Sequence, residues 1–379
     1  MKRKKLVIIS HTEHYKNESN QIVGWGATIN EINFLADYWD EVVHIACLYK
    51  NKHPPKSSLP YLKPNIKFKA IPPYGGKKLS DKLLIVIKIP KIIKIVNQNI
   101  KNASEVQLRL PTSMGVFLLP FFSFIFPIKY TFWVKYAGNW SKKNPPLSYR
   151  FQRWWLKRNF ANCKVTINGF WYNQPKHCIS FENPCLTSNQ IEYGLQVTQN
   201  KTFNKPYIFT FIGRLEEAKG ISICIEALQC VDLQHIEKVN FIGNGEKLEF
   251  YKEKASFLGD KVCFHGFLDS TQVHKILAKS HFLLLPSKSE GFPKVIAEAA
   301  CYGVIPIVSN VGSISHYINN ENGFLWKING SISYSEILNN AILKSSEELK
   351  FISNNVQILS KKFTFSHYIN QLNKYIFND

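Results

Sequence analysis

Short runs rich in β-branched residues alternate with helix-length amphipathic segments along almost the whole chain, and this alternation constrains the fold more than any other feature. The runs are Leu6–Ser10, Glu41–Leu48, Ile66–Ile71, Glu105–Leu110, Lys129–Val134, Lys164–Asn168, Cys178–Phe181, Tyr207–Ile212, Lys238–Ile242, Val262–Phe264, Phe282–Leu285 and Pro306–Val308. Between them lie helical patterns such as Thr28–Tyr38, Ser80–Asn99, Arg150–Phe160, Ile221–Cys230, Ser270–Ala278 and Pro293–Tyr302. Strands without a polar face need cover on both sides, which calls for parallel sheets between helix layers. Twelve such strands overfill one sheet, and 379 residues overfill one core. The expected fold class is therefore α/β, with two doubly wound domains facing a central cleft. The polar stretch Thr187–Pro206 reads as a linker, dividing residues 1–186 from residues 207–362. The final helical pattern, within residues 363–379, is expected to return to the first domain. Ligands of open parallel sheets bind beyond the strands' carboxyl ends, so the cleft is the expected site.

Charge narrows the partners. Lys and Arg total 48 against 27 Asp and Glu, a formal charge of +21. Such a surplus calls for an anionic partner: nucleic acid, acidic lipid headgroups or phosphorylated small molecules. Eight cysteines are scattered without a Cys-x-x-Cys pair, so buried thiols in a reducing compartment are expected, with no disulfide framework and no zinc site. The basic start followed by Leu6–Ser10 is too short an apolar run for a signal peptide and reads as a first strand. The longest apolar stretch, Gly115–Ile128, is broken by two prolines and is rejected as a membrane span.

Two segments carry chemistry. In Tyr207–Gly220 a strand runs into a turn opened by Gly213, and Arg214 and Lys219 flank the start of the next helix. A helix start adds partial positive charge and free N–H groups, so the whole suits a diphosphate; a βα turn with two solvated bases is the alternative. In Phe282–Gly303 a buried strand ends at Pro286, the following loop carries Glu290-Gly291-Phe292-Pro293, and Glu298 lies inside the next helix. Two carboxylates near one helix start suit the hydroxyls of linked sugars and repel phosphate. The apolar neighbours of Glu298 argue against a solvated helix face.

These segments, with Gly243-Asn-Gly245, Val-Cys-Phe-His-Gly266-Phe267 and Gly303-Val-Ile-Pro306-Ile-Val-Ser-Asn-Val-Gly312, occur in one order. The series resembles the carboxyl-terminal domain of the family 4, or group 1, glycosyltransferases, which are retaining enzymes with two Rossmann-like domains (GT-B). The resemblance is dense from Tyr207 to Trp326. It implies that Arg214, Lys219 and Glu290 serve catalysis, the two bases on the donor diphosphate and Glu290 facing the donor sugar. It further implies that Glu298 holds the ribose hydroxyls, that Gly213 and the backbone of Gly291, Phe292 and Pro293 line the donor pocket, and that Gly266 and Phe267 lie near the base. The implied donor is a nucleotide-diphosphate sugar (UDP- or GDP-linked), with no permanently bound cofactor and no metal. The implied acceptor is a glycan or lipid-linked glycan, as in bacterial surface polysaccharide assembly.

The amino-terminal half matches more loosely. Gly24 and Gly26, before a helix, resemble the family's glycine loop at the donor phosphate; a tight turn is an equal reading. Where relatives carry a histidine after the Lys129–Val134 strand, this chain has Lys135-Tyr136-Ala-Gly138-Asn-Trp140. His11 and His14 read as solvated loop residues, and Arg109 as a cleft cation or a satisfied structural arginine. The segment Lys82–Lys101, preceded by Lys77-Lys78, interleaves bases with aliphatic residues. It reads either as a core-facing helix with a solvated basic face or, together with Arg150–Arg158, as a membrane-surface element with an anionic membrane as partner at the cytoplasmic face, Pro90 kinking or splitting the first helix. No nucleic-acid-binding signature is present. An epimerase-like two-Rossmann enzyme and a basic surface-binding or nucleic-acid-binding protein are the alternatives; epimerases of this architecture lack the Gly-Arg-Leu-x3-Lys-Gly series, and a basic binding protein does not explain Glu290 and Glu298.

Overall fold

The computed structural model describes residues 4–74, 79–124, 130–141 and 144–377. The chain divides into two compact units, Met1–Phe181 with Ile369–Asp379, and Glu182–Tyr368. Lys77, Lys78, Lys142, Lys143 and the start of the expected Lys129–Val134 strand lie outside the described residues.

The first unit holds strands β1 (Lys5–Lys16), β2 (Ile22–Trp25), β3 (Glu41–Leu48), β4 (Ser58–Pro60), β5 (Ile66–Ile71), β6 (Glu105–Leu110), β7 (Thr131–Tyr136), β8 (Lys164–Ile167) and β9 (Cys178–Ser180), with helices α1 (Gly26–Leu35), α2 (Leu79–Ile100), α3 (Gly115–Phe124) and α4 (Leu147–Lys157). Strands β5-β3-β1-β6-β7-β8-β9 are parallel, and the order reverses between β1 and β6. Beyond a register shift after Ile9, β1 continues and pairs antiparallel with β2, which pairs with β4. One sheet face is packed with Val7, Ile9, Val106, Leu108 and Val134 against α2, α3 and α4. Ile92, Val96 and Ile100 recur at helical spacing as the inward stripe of α2. Burying each such side chain contributes about 1.5–3 kcal/mol.

Two expectations are corrected in this unit. Helix α2 runs through an exposed Pro90 as one element, which removes the reading of two short segments and leaves that of a kink. His14 is not a solvated loop residue but fully buried within the β1 extension. Among the described residues no helix is long and apolar enough to cross a membrane; α3 instead buries Leu118, Leu119, Phe121 and Phe122 in the core.

The second unit opens with α5 (Ser188–Asn200) and continues with β10 (Tyr207–Ile212), α6 (Ile221–Gln229), β11 (Ile236–Ile242), α7 (Leu248–Lys254), β12 (Val262–Gly266), α8 (Ser270–Lys279), β13 (Phe282–Leu285), α9 (Lys294–Cys301), β14 (Ile305–Ser309), β15 (Phe324–Trp326), α10 (Tyr334–Ile342) and α11 (Ser346–Ser360). Its sheet is parallel throughout in the order β12-β11-β10-β13-β14-β15, reversing between β10 and β13. Helix α12 (Phe365–Leu372) follows, and the terminal segment belongs to the first unit, where Phe377 meets Trp39 and Trp133 edge-on.

The expected linker Thr187–Pro206 is corrected: most of it is α5, closed at its start by a capping box between Thr187 and Gln190. Composition misleads here because the buried contacts use small residues. A Cβ on Gly194 would meet Cys301 O at 2.1 Å, and Thr198 Oγ1 donates to Gly194 O.

Candidate functional site

The reversal between β10 and β13 places two loops side by side at the carboxyl edge of the second sheet, where such sheets bind ligands. The first loop leaves β10 through Gly213 and reaches α6 at Gly220, which is left-handed (φ 78°). A Cβ on Gly220 would lie 2.2 Å from Pro286 O, so only glycine lets this loop rest on the one that follows β13. Lys288 N donates to Ala218 O (3.0 Å), tying the two loops together. Glu217 accepts from Ser222 Oγ (2.6 Å) and Tyr251 OH (3.1 Å), and these bonds hold its carboxyl below the usual carboxylate range. The turn is thus fixed from behind.

The loops after β10, β11 and β12 form a backbone shelf. Gly213 N donates to Ile242 O, Leu215 N to Asn244 O, and Gly243 N to Gly266 O, at 2.8–3.0 Å. A Cβ on Gly243 would overlap Gly213 O at 1.8 Å. Phe267, just beyond this shelf, is exposed.

The structure brings the two segments into contact. Lys219 Nζ stands 2.5 Å from Glu290 Oε1, across the reversal, with both side chains mostly shielded. Arg214 is open, its Nη2 2.9 Å from Glu216 Oε1. The Glu290 loop is held by Gly312, whose added Cβ would lie 2.1 Å from Glu290 O, and by Ser313, whose N and Oγ donate to Gly291 O. The Phe292 ring turns inward to stack on Phe363 (4.7 Å), so only its backbone is available at the loop. Pro293 precedes α9 directly. Glu298 sits mid-helix in α9, and burial raises its carboxyl pKa, with Lys294 opposing. Two buried hydroxyls at the same edge, Ser287 Oγ and Ser309 Oγ, have no hydrogen-bond partner among the described residues. Sequence reasoning passed over both, and over Glu217; the Pro-Ser step ending β13 was the only local signal for Ser287.

Gly24 and Gly26 lie in the first unit. They form no open glycine loop: Gly24 is inside β2, and Gly26 begins α1 with its N–H on Ser57 O (2.9 Å). An added Cβ on Gly24 would stand 2.5 Å from His14 Nε2. That imidazole belongs to a chain of one direction. His14 Nδ1 donates to Thr12 O (2.9 Å), so its Nε2 accepts from Tyr61 OH (2.8 Å); Tyr61 accepts from His44 Nδ1 (2.6 Å), and Ser10 Oγ donates to His44 Nε2 (2.7 Å). Burial keeps both rings neutral, His14 down to about 4 and His44 well below the ordinary value. Arg109 is a satisfied arginine, bonded to Glu31 and Gln107 (both 2.8 Å), and Lys135 meets the same Glu31 oxygen at 2.7 Å.

Beside this chain a cavity of about 290 Å³ is lined by His11, Glu13, Tyr15 and Trp25 among others, with no Lys or Arg. His11 is half-buried against Tyr74, which corrects its reading as a solvated loop residue.

Residues 195–357 match the family described as Glycosyl transferases group 1. A glycogen synthase of Thermodesulfovibrio yellowstonii is 30% identical over 245 residues, covering 58% of this chain and 46% of its own. An N-acetylgalactosaminyltransferase of Campylobacter jejuni, named for a PP-undecaprenol glycan, is 28% identical over 189 residues, 49% of this chain and 50% of its own. The chain thus spans half or less of the length of these curated relatives. The HepE protein of Anabaena, solved with UDP, matches over 98% of both chains with a TM-score of 0.68 at 16% identity. With the two sheets and the glycine-lined reversal of the second unit in place, the chain has the GT-B fold, and its residues 195–357 match the group 1 glycosyltransferases.

Proposed function

We propose that this protein is a retaining glycosyltransferase that moves a sugar from a nucleotide-diphosphate donor, UDP- or GDP-linked, to a glycan or lipid-linked acceptor. The observation that carries the reading is the Lys219–Glu290 pair spanning the strand-order reversal. In the free protein each charge satisfies the other. A donor diphosphate takes Lys219 and Arg214, and Glu290 is released toward the sugar hydroxyls. Charge on the diphosphate grows as the glycosidic bond breaks, so fixed cations there stabilise the transition state more than the ground state. In this reading the cations and the start of α6 do the work without a metal. Glu298, half-buried in α9 with Lys294 nearby, takes the ribose hydroxyls.

The acceptor reading rests on the first unit. An exposed Trp25, a carboxylate and no Lys or Arg around the small cavity suit a neutral pyranose: an aromatic face for its C–H side and Glu13 for a hydroxyl. The Campylobacter relative's name, with its PP-undecaprenol glycan, supports a lipid-linked acceptor; surface polysaccharide assembly at the cytoplasmic face of a membrane is the setting proposed for it. A thermal-shift screen of nucleoside diphosphates and their sugar conjugates tests the donor half. The expected result is a raised melting temperature with UDP or GDP and with one of their sugar conjugates; no shift with any of them contradicts it.

A further inference from the structure

The basic surplus is segregated in one stretch of the chain. Between residues 82 and 181 stand sixteen Lys and Arg and one acid, Glu105; from 106 to 181 there is no Asp or Glu. All of it lies in the first unit, much of it on the helices that share one sheet face. Helix α4 turns Gln152, Trp155 and Leu156 inward and leaves Arg150, Trp154, Lys157 and Arg158 exposed.

On that outer side a cavity of about 360 Å³ is lined by Trp140, Arg150, Arg153, Trp154, Lys157 and Arg158, and no acidic residue lines it. Its walls are built: Arg153 Nη1 donates to Trp140 O (2.6 Å), and Lys157 Nζ stands 5.8 Å over the Trp140 ring. Like charges gathered around one concavity suit an anionic ligand, and guanidinium forks match phosphate oxygens. The rim is apolar. Leu147, Phe124, Trp154 and Phe160 are exposed, Trp154 packs on Phe160 (5.3 Å), and Phe124 on Trp155 (5.8 Å). On the same layer α2 exposes Val86 and Ile87.

We propose that the α4 cavity holds the phosphate of an anionic phospholipid headgroup, with the α2–α4 face lying against the bilayer. Free phosphate and RNA account for the bases but leave the exposed Leu, Val, Ile and Phe in water; a bilayer interface takes both, with Trp at headgroup depth. Anchoring therefore centres on α4. Lys88, on α2, donates to Pro73 O (2.6 Å) and is committed within the fold. This proposal rests on the transferase reading for its purpose only, since it places the acceptor-side unit on the membrane that carries the acceptor.

The test is flotation of the full chain with phosphatidylcholine vesicles, with and without phosphatidylglycerol, at low and high salt. It compares wild type, Arg150→Gln/Lys157→Gln/Arg158→Gln, and the α2 control Lys91→Gln/Lys94→Gln. Wild type should float only with phosphatidylglycerol and be released by salt, and the α4 variant should bind at least about tenfold more weakly, the α2 control less affected. Should the α4 variant not fold, Trp154→Phe must remove a lipid-induced blue shift of tryptophan emission seen in wild type. Absence of wild-type binding, equal loss in the α2 control, or an unchanged blue shift in Trp154→Phe overturns the proposal. So does stabilisation by inorganic phosphate, or binding of a short RNA, without vesicle binding. Titration of the same proteins with UDP and GDP separates this from the donor reading: the α4 variant should bind nucleotide as wild type does.

Discussion

Lys219 Nζ and Glu290 Oε1 stand 2.5 Å apart although 71 residues separate them, because their loops leave the two strands on either side of the sheet's reversal. In the proposed reading a diphosphate therefore competes with Glu290 for the ammonium. Glu290→Gln should tighten free UDP or GDP by about fivefold, roughly 1 kcal/mol, by freeing the cation, while weakening discrimination for the intact sugar donor. Lys219→Ala should weaken both ligands. Isothermal titration of each variant with nucleotide and with sugar nucleotide measures this; weaker free-nucleotide binding in Glu290→Gln contradicts it.

Two glycines on the shelf should behave oppositely. Gly213 has room for a methyl group, the nearest atoms being 3.7 Å away. Gly243→Ala drives a Cβ into Gly213 O at a φ of 135° and should cost about 3 kcal/mol or more. Urea unfolding should show Gly213→Ala near wild type in stability and Gly243→Ala far below it.

Gly24 supplies space rather than a phosphate cradle in the structure. Gly24→Ala should destabilise by about 1–3 kcal/mol through the clash with His14, and a His14→Ala background should remove most of that penalty. A double-mutant cycle reads the coupling directly; additive losses contradict the contact.

Lys201 is buried beneath the second sheet, where its ammonium donates to Ser280 O, and desolvation pushes its pKa down to about 7, aided by Lys350. From about pH 7 to the ordinary lysine range the unfolded chain binds one more proton there than the folded one. Stability contributed by this group therefore rises with pH above 7, by up to about 1.4 kcal/mol per unit. Relative to Lys201→Met, wild type should gain stability between pH 7 and 8 in denaturant titrations; a flat difference contradicts the assignment.

The strands were legible because their signal is local. Glu41–Leu48, Ile66–Ile71, Tyr207–Ile212 and Phe282–Leu285 appear in the structure with the bounds read from their apolar runs. The positions of the loops that carry Lys219 and Glu290, after Tyr207–Ile212 and Phe282–Leu285, followed once those strands were in place. What stayed hidden depended on distant partners. His14 is buried by Tyr61 and His44, which no local pattern announces, and Ile22–Trp25 is a strand because it pairs with both β1 and β4. Arg109 is satisfied by Glu31 from another element. Helix α5 was concealed because its fully buried residues, Gly194 and Thr198, are small, with only Ile191 and Val197 half-buried against the core beside them.

The most direct measurement is release of nucleoside diphosphate from a panel of UDP- and GDP-sugars, followed by chromatography for wild type and Lys219→Ala, with the anomer of the released or transferred sugar read by NMR. The expected result is turnover of one donor by wild type with retention of configuration, reduced by at least about a hundredfold in Lys219→Ala. Equal turnover in Lys219→Ala, inversion at the anomeric carbon, or no turnover of any sugar nucleotide would contradict the account.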